Sequence, residues 1–507
     1  VTDAPVGGTD ADAAPSRYAA YALGVLALSN LLSYVNRNVL FALFEPIKAG
    51  LHLTDAQLGW LASGYVLVFS LAALPFGVLG DLRSRRVVIA AGMLLWSAAT
   101  LASGLATGFA GLLACRALVG LGGAAFGATA QSLAADYFPV RGRALAMGIL
   151  SAGITLGGVV GIWLGGRLEA MYGWRLTLVA VGAPGFALAV VCGQLRDPVR
   201  PDYAITVRAL LRHLEMGARA VVRLLAPLLA GVVVGGLAAW LLDRRYGADS
   251  RADTAAFALA VMVGLALNVR IWVRDIGRLP ASGGPRGGLQ GAANDLVAAV
   301  RLVLRTPTLV FVFTGGALVS FGINGLVGWA PTFMSRELGL TVRGAAALLG
   351  TWGLVAGVAG SLTGGLLADW LGRYTATGRV ITIALGIVLG GPLAIWLLTV
   401  RDLSLFVPIF TAAFFFISWY NGPIAATIFD VVPARVSATV AGAYLLFIHL
   451  VGDAVAFPLV GALSDRFGLD RAVLLLPSVA LAGGLVVLLA ARTVGADMAR
   501  KLAGDLA

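Results

Sequence analysis

Apolar runs of about 20 residues recur along the whole chain, divided by short basic turns, and each is long enough to cross a bilayer as a helix. A helix satisfies its own backbone hydrogen bonds in lipid, so helices are the expected solution. The runs are too long and too uniformly apolar for outer-membrane strands, which would alternate over about 10 residues. One kind of turn repeats between them. Gly77-Val-Leu-Gly-Asp81-Leu-Arg83-Ser-Arg85-Arg86 sits between two runs, and Gly364-Gly365-Leu-Leu-Ala-Asp369-Trp-Leu-Gly372-Arg373 sits in the same kind of place far downstream. A third echo, Gly461-Ala-Leu-Ser464-Asp465-Arg466-Phe-Gly468, follows the penultimate run. A repeated Gly-x-x-x-Asp-x-x-x-Arg turn between hydrophobic helices predicts two related membrane bundles joined head to tail. That is the layout of a transporter rather than of a soluble enzyme.

Composition points the same way. The chain is 59% hydrophobic and only 12% charged, against about 25% charged in ordinary soluble domains. Its formal net charge is +12, but the arginines cluster in short segments between apolar runs. They read as topology signals and contacts to anionic lipid headgroups, not as a nucleic-acid surface. Cys115 and Cys192 lie in apolar runs and imply neither a disulfide framework nor a metal site. No Gly-x-x-x-x-Gly-Lys-Ser/Thr loop and no His-Glu-x-x-His segment is present, so the sequence calls for no cofactor, and movement of a solute would run on a gradient or downhill.

The apolar runs predict an all-α integral membrane fold of fourteen spans. Residues 1–17 read as a disordered tail that lacks the basic flank of a cleaved signal peptide. A six-helix bundle over 18–195 holds helices near 19–44, 58–80, 86–108, 110–135, 143–170 and 174–193. Residues 196–291 combine a basic amphipathic segment, an inserted helix pair near 221–241 and 253–273, and a Gly/Pro-rich linker. A second bundle over 292–492 holds helices near 308–334, 344–369, 379–399, 404–429, 437–463 and 472–492, and 493–507 reads as a short cytoplasmic tail. The basic loops put both termini in the cytoplasm under the positive-inside rule, in a multi-pass protein of a bacterial inner membrane. The basic turn at Arg244 and Arg245 is the one loop on the wrong side.

Charged and polar side chains inside apolar runs are the candidate functional residues, because lipid tolerates them poorly. Arg116 lies deep in the fourth run and suits an anionic headgroup or a conformation-sensitive ion pair, with snorkelling to the interface as the alternative. Asn36, Arg37 and Asn38 follow one another in the first run and cannot all face lipid, so they are expected to line a central cavity, Asn38 equally to cap a helix break. Glu45-Pro46 marks the end of that helix, with Glu45 interfacial. His449 and Asp453, four apart on one helix face, suit a proton relay or a pair with Arg37 or Arg116, or a static polar pair. Asn324, Trp329, Tyr420 and Asn421 in the second bundle, with Tyr65, Phe69 and Phe126 in the first, would build an amphipathic cavity. Trp96 and Trp396 are as readily interfacial belt aromatics. Gly153, Gly157, Gly161 and Gly165 form a flat stripe for close helix packing. Asp81, Arg85, Arg86, Asp369 and Arg373 are the expected gating turns, clamping the cytoplasmic side closed in an outward-open state.

The Asp81 and Asp369 turns, the Arg116-x-x-x-Gly120-x-Gly122 run and the glycine-rich fifth helix resemble the major facilitator superfamily, over nearly the whole chain apart from the tails and the insertion. Ser33-Tyr34-Val35-Asn36-Arg37, Phe44-Glu45-Pro46-Ile47-Lys48, Leu53-Thr-Asp55-Ala-Gln57-Leu-Gly59 and Asp136-Tyr-Phe-Pro139-Val-Arg141-Gly-Arg143 are similar to the Spinster family. That resemblance implies a sphingolipid- or lysophospholipid-like substrate carried by alternating access, with Arg116 near its phosphate or in a charge network with the first helix. Two departures stand out. Asn36 replaces an aspartate, and Gly123 a glutamate, that relatives carry, and an asparagine cannot exchange a proton in this range. Coupling would then move to His449 and Asp453, or be absent. The expected partners are an amphiphilic small molecule or lipid and the surrounding membrane lipids, with no nucleic acid, and the chain is expected to act as a monomer. The competing readings are a drug or small organic anion exporter, a non-transporting lipid sensor or scaffold, and a lipid-modifying enzyme built on His449 and Asp453. The enzyme reading lacks a nucleophile motif.

Overall fold

A computed structural model describes residues 17–82, 84–138, 140–197, 299–433 and 436–503, with isolated helical positions between 230 and 267. Among these residues all regular structure is helical. The first half contains α1 (Arg17–Ala42), α2 (Phe44–Leu51), α3 (Asp55–Leu82), α4 (Arg85–Gly104), α5 (Phe109–Tyr137), α6 (Val140–Gly182) and α7 (Pro184–Gly193). The second half begins with α8 (Pro307–Glu337). A π-helical turn, Leu349–Gly353, joins α9 (Val342–Leu348) to α10 (Leu354–Gly372), and α11 (Gly378–Leu397) follows. A 3-10 turn joins α12 (Leu403–Ile417) to α13 (Asn421–Val431). A second π-helical turn, Ile448–Asp453, joins α14 (Ser437–Phe447) to α15 (Ala454–Phe467). The chain ends with α16 (Leu469–Ala472), α17 (Leu475–Leu489) and α18 (Val494–Ala503).

Eleven apolar helical stretches among the described residues are long enough to cross a membrane, not the fourteen expected from the sequence. One of them, Ala146–Gly193, is 48 residues long, roughly 72 Å of helix and more than twice a bilayer core. It breaks at Gly173, whose φ of 73° is left-handed. The inserted pair and the basic amphipathic segment lie outside the described residues, apart from isolated positions. At one of these a Cβ on Gly231 would come within 2.5 Å of the Ala260 carbonyl oxygen, so the two inserted stretches pass closely there. The first 16 residues also lie outside the described ones.

Two boundary expectations need correction. Pro46 does not end the first helix. The chain turns at Leu43 and resumes as α2, where Pro46 falls in the first turn and costs no backbone hydrogen bond. The segment after Arg492 is not a loose tail but the amphipathic helix α18. Asp497 is fully buried there and accepts from the Thr308 backbone N–H at 3.0 Å, tying the chain's end to the start of α8.

Lipid-facing surfaces are apolar, with Leu366 and Leu362 well exposed on α10. The largest core joins the two halves through Phe41, Phe44, Trp329 and Phe457. Within the first half α1 lies against α6 along the glycine stripe. A Cβ would come within 2.4 Å of the Leu31 oxygen at Gly157, 2.8 Å of the Val35 oxygen at Gly161, 3.2 Å of the Ala27 oxygen at Gly153 and 3.0 Å of Val39 at Gly165. Gly157→Ala is therefore expected to destabilise the protein by about 1–3 kcal/mol through overpacking. Gly148→Ala, where a Cβ meets nothing within 4 Å, serves as the control. Thermal unfolding in detergent reads the difference, and equal midpoints would contradict the packing account.

Candidate functional site

A chamber of about 1100 Å³ lies between the halves. Its first wall carries Asn30, Tyr34, Arg37 and Asn38 of α1, Tyr65 and Phe69 of α3, and Gly123 and Phe126 of α5. Facing them are Ser320 and Asn324 of α8, Phe410 and Phe414 of α12, Tyr420, Asn421 and His449. Most of the lining is apolar, with one polar cluster where Arg37 meets Asp453 and other polar groups, Gln131 and Thr439 among them, elsewhere along it.

Asp453 organises that polar cluster. It is fully buried, and its Oδ1 accepts from Ser320 Oγ at 2.5 Å and Asn324 Nδ2 at 3.0 Å. Its Oδ2 lies 2.7 Å from His449 Nδ1 and 3.9 Å from an Arg37 Nη. The π-helical turn carries both His449 and Asp453, a local irregularity of the kind often found at functional sites. The Arg37–Asp453 pair crosses from the first half to the second.

Arg37 and Arg116 both lie over the Tyr65 ring, each guanidinium carbon 5.5 Å from its centroid, and Arg37 is also 5.8 Å from the centre of Tyr34. Such contacts contribute on the order of 0.5–2 kcal/mol each. Arg116 is completely buried. Its Nη atoms donate to the Asn36 and Arg37 carbonyls over long distances of 3.4 and 3.5 Å, and its Nε has no partner.

Arg37, Tyr65, Phe69, Phe126, Asn324, Tyr420, Asn421 and His449 line the chamber; Asn36, Arg116, Trp329 and Asp453 do not. Asn36 instead donates to the Leu32 and Val181 carbonyls in the packing between helices. Trp329 is fully buried against Phe44, with ring centres 5.3 Å apart. These corrections share a cause. A polar or aromatic residue that avoids lipid can turn toward a neighbouring helix as well as toward a cavity.

The end of the chamber near Asp55 is closed. Phe41 stacks on Phe457 with ring centres 5.4 Å apart, and the Phe44–Trp329 contact lies beside it. Beyond them Arg336 donates to both oxygens of Asp55, at 2.6 and 2.8 Å, and to Glu45 at 2.7 Å. Lys48 pairs with Asp55 at 2.6 Å, and Ser464 donates to it at 2.5 Å. Asp465, from the third echo of the turn, accepts from the Asp55 and Ala56 backbone N–H groups at 2.8 and 2.9 Å and so caps α3 from the other half. Glycine permits the close approach. A Cβ at Gly59 would sit 2.3 Å from the Phe457 oxygen, and one at Gly461 2.2 Å from the Asp55 oxygen. Sequence reasoning missed this cluster because charges at the ends of apolar runs look ordinary.

Toward the other end the chamber reaches Gly77, Gln131 and Thr439. Asp81 ends α3, and its side chain falls outside the described residues. Arg85 pairs with Asp136, and its backbone N–H donates to Asp197 at 3.0 Å, while Arg86 donates to the Leu195 carbonyl at 3.3 Å. In the second half it is Arg379, not Arg373, that meets Asp369, at 3.6 Å, and it also pairs with Asp430. Partners in the Arg85–Asp136 and Arg379–Asp430 pairs are both 51 residues apart, an internal repeat in three dimensions.

Residues 26–452 match the family model of the Major Facilitator Superfamily. The chain belongs to that superfamily. It is a multi-pass membrane protein homologous to the Spinster family. It is 27% identical to protein spinster homolog 1 of Homo sapiens over 336 residues, 59% of this chain and 63% of that one. It is 31% identical to the sphingosine-1-phosphate transporter SPNS2 of Xenopus tropicalis over 160 residues, 31% of each chain. The hexuronate transporter of Bacillus subtilis is 27% identical over 166 residues, 33% of this chain and 39% of that one. These matches span less than two thirds of the relatives' own lengths. In fold, the chain superposes on a bacterial homolog of the human lysosomal transporter Spinster in an inward-facing, unoccupied conformation. The TM-score is 0.71 at 21% identity, covering 96% of this chain and 99% of the other.

Arg336→Ala leaves Glu45 and Asp55 without their shared cation and is expected to open this end of the chamber. A cysteine at Ser63, whose hydroxyl now donates to the Ala454 carbonyl at 2.7 Å, reports it. Its labelling by a membrane-impermeant maleimide added from the Asp55 side should rise about fivefold or more. Unchanged labelling would show that the ion cluster does not hold the closure.

Proposed function

We propose that this protein is a secondary transporter that moves an amphiphilic, lipid-like molecule of the sphingolipid or lysophospholipid type by alternating access. The observation that carries the reading is the chamber itself: apolar walls from both halves converge on the polar cluster at Arg37, one end is sealed, and the other runs toward the Asp81 turn. An apolar tail fits the walls, and an anionic head fits Arg37. Kinship with the spinster and sphingosine-1-phosphate transporters supports this substrate class. Kinship with the hexuronate transporter favours a second reading, a carrier of small organic anions. The anionic head is common to both.

The finer architecture belongs to the same proposal. Two six-helix bundles, 18–195 and 292–492, flank an inserted helix pair, and a monomer in the bacterial inner membrane keeps both termini in the cytoplasm. In that orientation the sealed Asp55 end faces outward and the state is inward-facing. The paired turns at Arg85 and Arg379, with Asp81 and Asp369, are the gating elements on the cytoplasmic side. His449 and Asp453 serve as the proton-coupling pair, since Asp453 lies within hydrogen-bond reach of His449, which faces the chamber.

Purified protein in proteoliposomes should move labelled sphingosine 1-phosphate, lysophosphatidylcholine or glucuronate, and the preferred solute decides between the two readings. Arg37→Ala should lower the rate about tenfold or more, the usual consequence of removing a charged hydrogen-bond donor from a buried anion. Absence of movement under any imposed gradient would favour a lipid sensor. In a separate comparison, Asp453→Asn should abolish the response to an imposed pH gradient. An unaltered response would take Asp453 out of the coupling scheme.

A further inference from the structure

We propose that the carrier is an obligatory exchanger, which reorients readily only while an anion occupies its chamber. The inference rests on the transport reading above and follows from the fixed charges at the centre of the protein. Arg37 and Arg116 are two cations gathered on one tyrosine ring. A single carboxylate, Asp453, faces them. Among the described residues no carboxylate lies within ion-pair reach of Arg116, whose only hydrogen-bond partners are two distant backbone carbonyls. The other fully buried acids are committed elsewhere, Asp55 to Arg336 and Lys48, and Asp497 to Arg500.

This imbalance is permanent. Arginine does not release its proton in proteins, and the tyrosines around Arg37, Tyr34 and Tyr65, add no carboxylate. His449 is either neutral or positive, so it can add to the excess but never remove it. The centre therefore carries at least one surplus positive charge.

In the open chamber water reaches this cluster at Arg37, which lines the wall, while Arg116 stays buried behind it. Reorientation passes through an occluded state in which the chamber shrinks and water leaves. An uncompensated guanidinium among membrane-spanning helices is then costly. A bound anion on Arg37 cancels the surplus and removes the cost. Loaded carrier crosses and unloaded carrier waits, so net movement is slow, exchange is fast, and a pH gradient acts through His449 and Asp453 only on that exchange.

Gly123 borders the same ring. A Cβ there would lie 3.2 Å from the hydroxyl of Tyr65, over which both arginines lie, on the chamber wall. Asn36, whose Oδ1 is buried without a partner, is the second position where a neutral residue neighbours Arg116. A carboxylate at either position would supply the missing charge.

The test uses the full chain in proteoliposomes loaded with labelled sphingosine 1-phosphate, with albumin outside to collect what emerges. Efflux is measured with and without unlabelled sphingosine 1-phosphate on the outer side. Exchange should exceed net efflux by about tenfold or more, the ratio that desolvating one charge imposes on a rate. Gly123→Glu and, independently, Asn36→Asp should raise net efflux and bring that ratio toward unity. Equal net efflux and exchange in the wild type would overturn the proposal while leaving transport intact. No movement in either mode would remove the transport reading and the exchange proposal together.

Discussion

The Arg37–Asp453 ion pair joins the two halves of the molecule between helices long and apolar enough to cross a membrane, where charge is expensive. Each of its members is embedded in further contacts from its own half. Arg37 rests over Tyr34 and Tyr65, and Asp453 is held by Ser320, Asn324 and His449. At 3.9 Å the pair itself is the loosest link in this set. That looseness suits an arginine that also faces the chamber, since a ligand anion can compete for it without dismantling the rest.

Around that pair the molecule is asymmetric. The Asp55 end is tied by a multi-residue ion cluster around the buried Asp55, stacked aromatics and glycine-permitted backbone contact. Toward the opposite end each half keeps its own arginine–aspartate pair, Arg85 with Asp136 and Arg379 with Asp430. These pairs stay within one half, so they brace helices without bridging the chamber. The contacts that bridge the halves lie instead at the Asp55 end, where Arg336 meets Glu45 and Asp55 and where Asp465, from the third repeated turn, caps α3.

Membrane helices were legible in the sequence because length and uniform hydropathy leave few other outcomes. Arg37, His449 and Asp453 were legible because a charge inside an apolar run demands a partner. What the sequence could not resolve was direction. Asn36 and Arg116 turn into helix packing, and Trp329 into the aromatic seal, because periodicity does not separate a neighbouring helix from a cavity. The Gly173 break falls in the gap expected between the helices near 143–170 and 174–193, whereas α18 escaped notice because a polar, amphipathic ten-residue segment resembles a tail until Asp497 finds the start of α8. The charge count at Tyr65 needed both the departures at Asn36 and Gly123 from the resembled family and the placement of Arg116 away from any described carboxylate.

The account stands on a chamber whose centre holds a surplus positive charge. Titration calorimetry on the detergent-purified protein tests it most directly, by comparing sphingosine 1-phosphate with sphingosine, which shares the tail but lacks the phosphate. The account predicts that the phosphate-bearing ligand binds about tenfold or more tightly, and that Arg37→Gln erases most of the difference. Equal affinity for the two ligands in the wild type, or a preference for the amine, would contradict it.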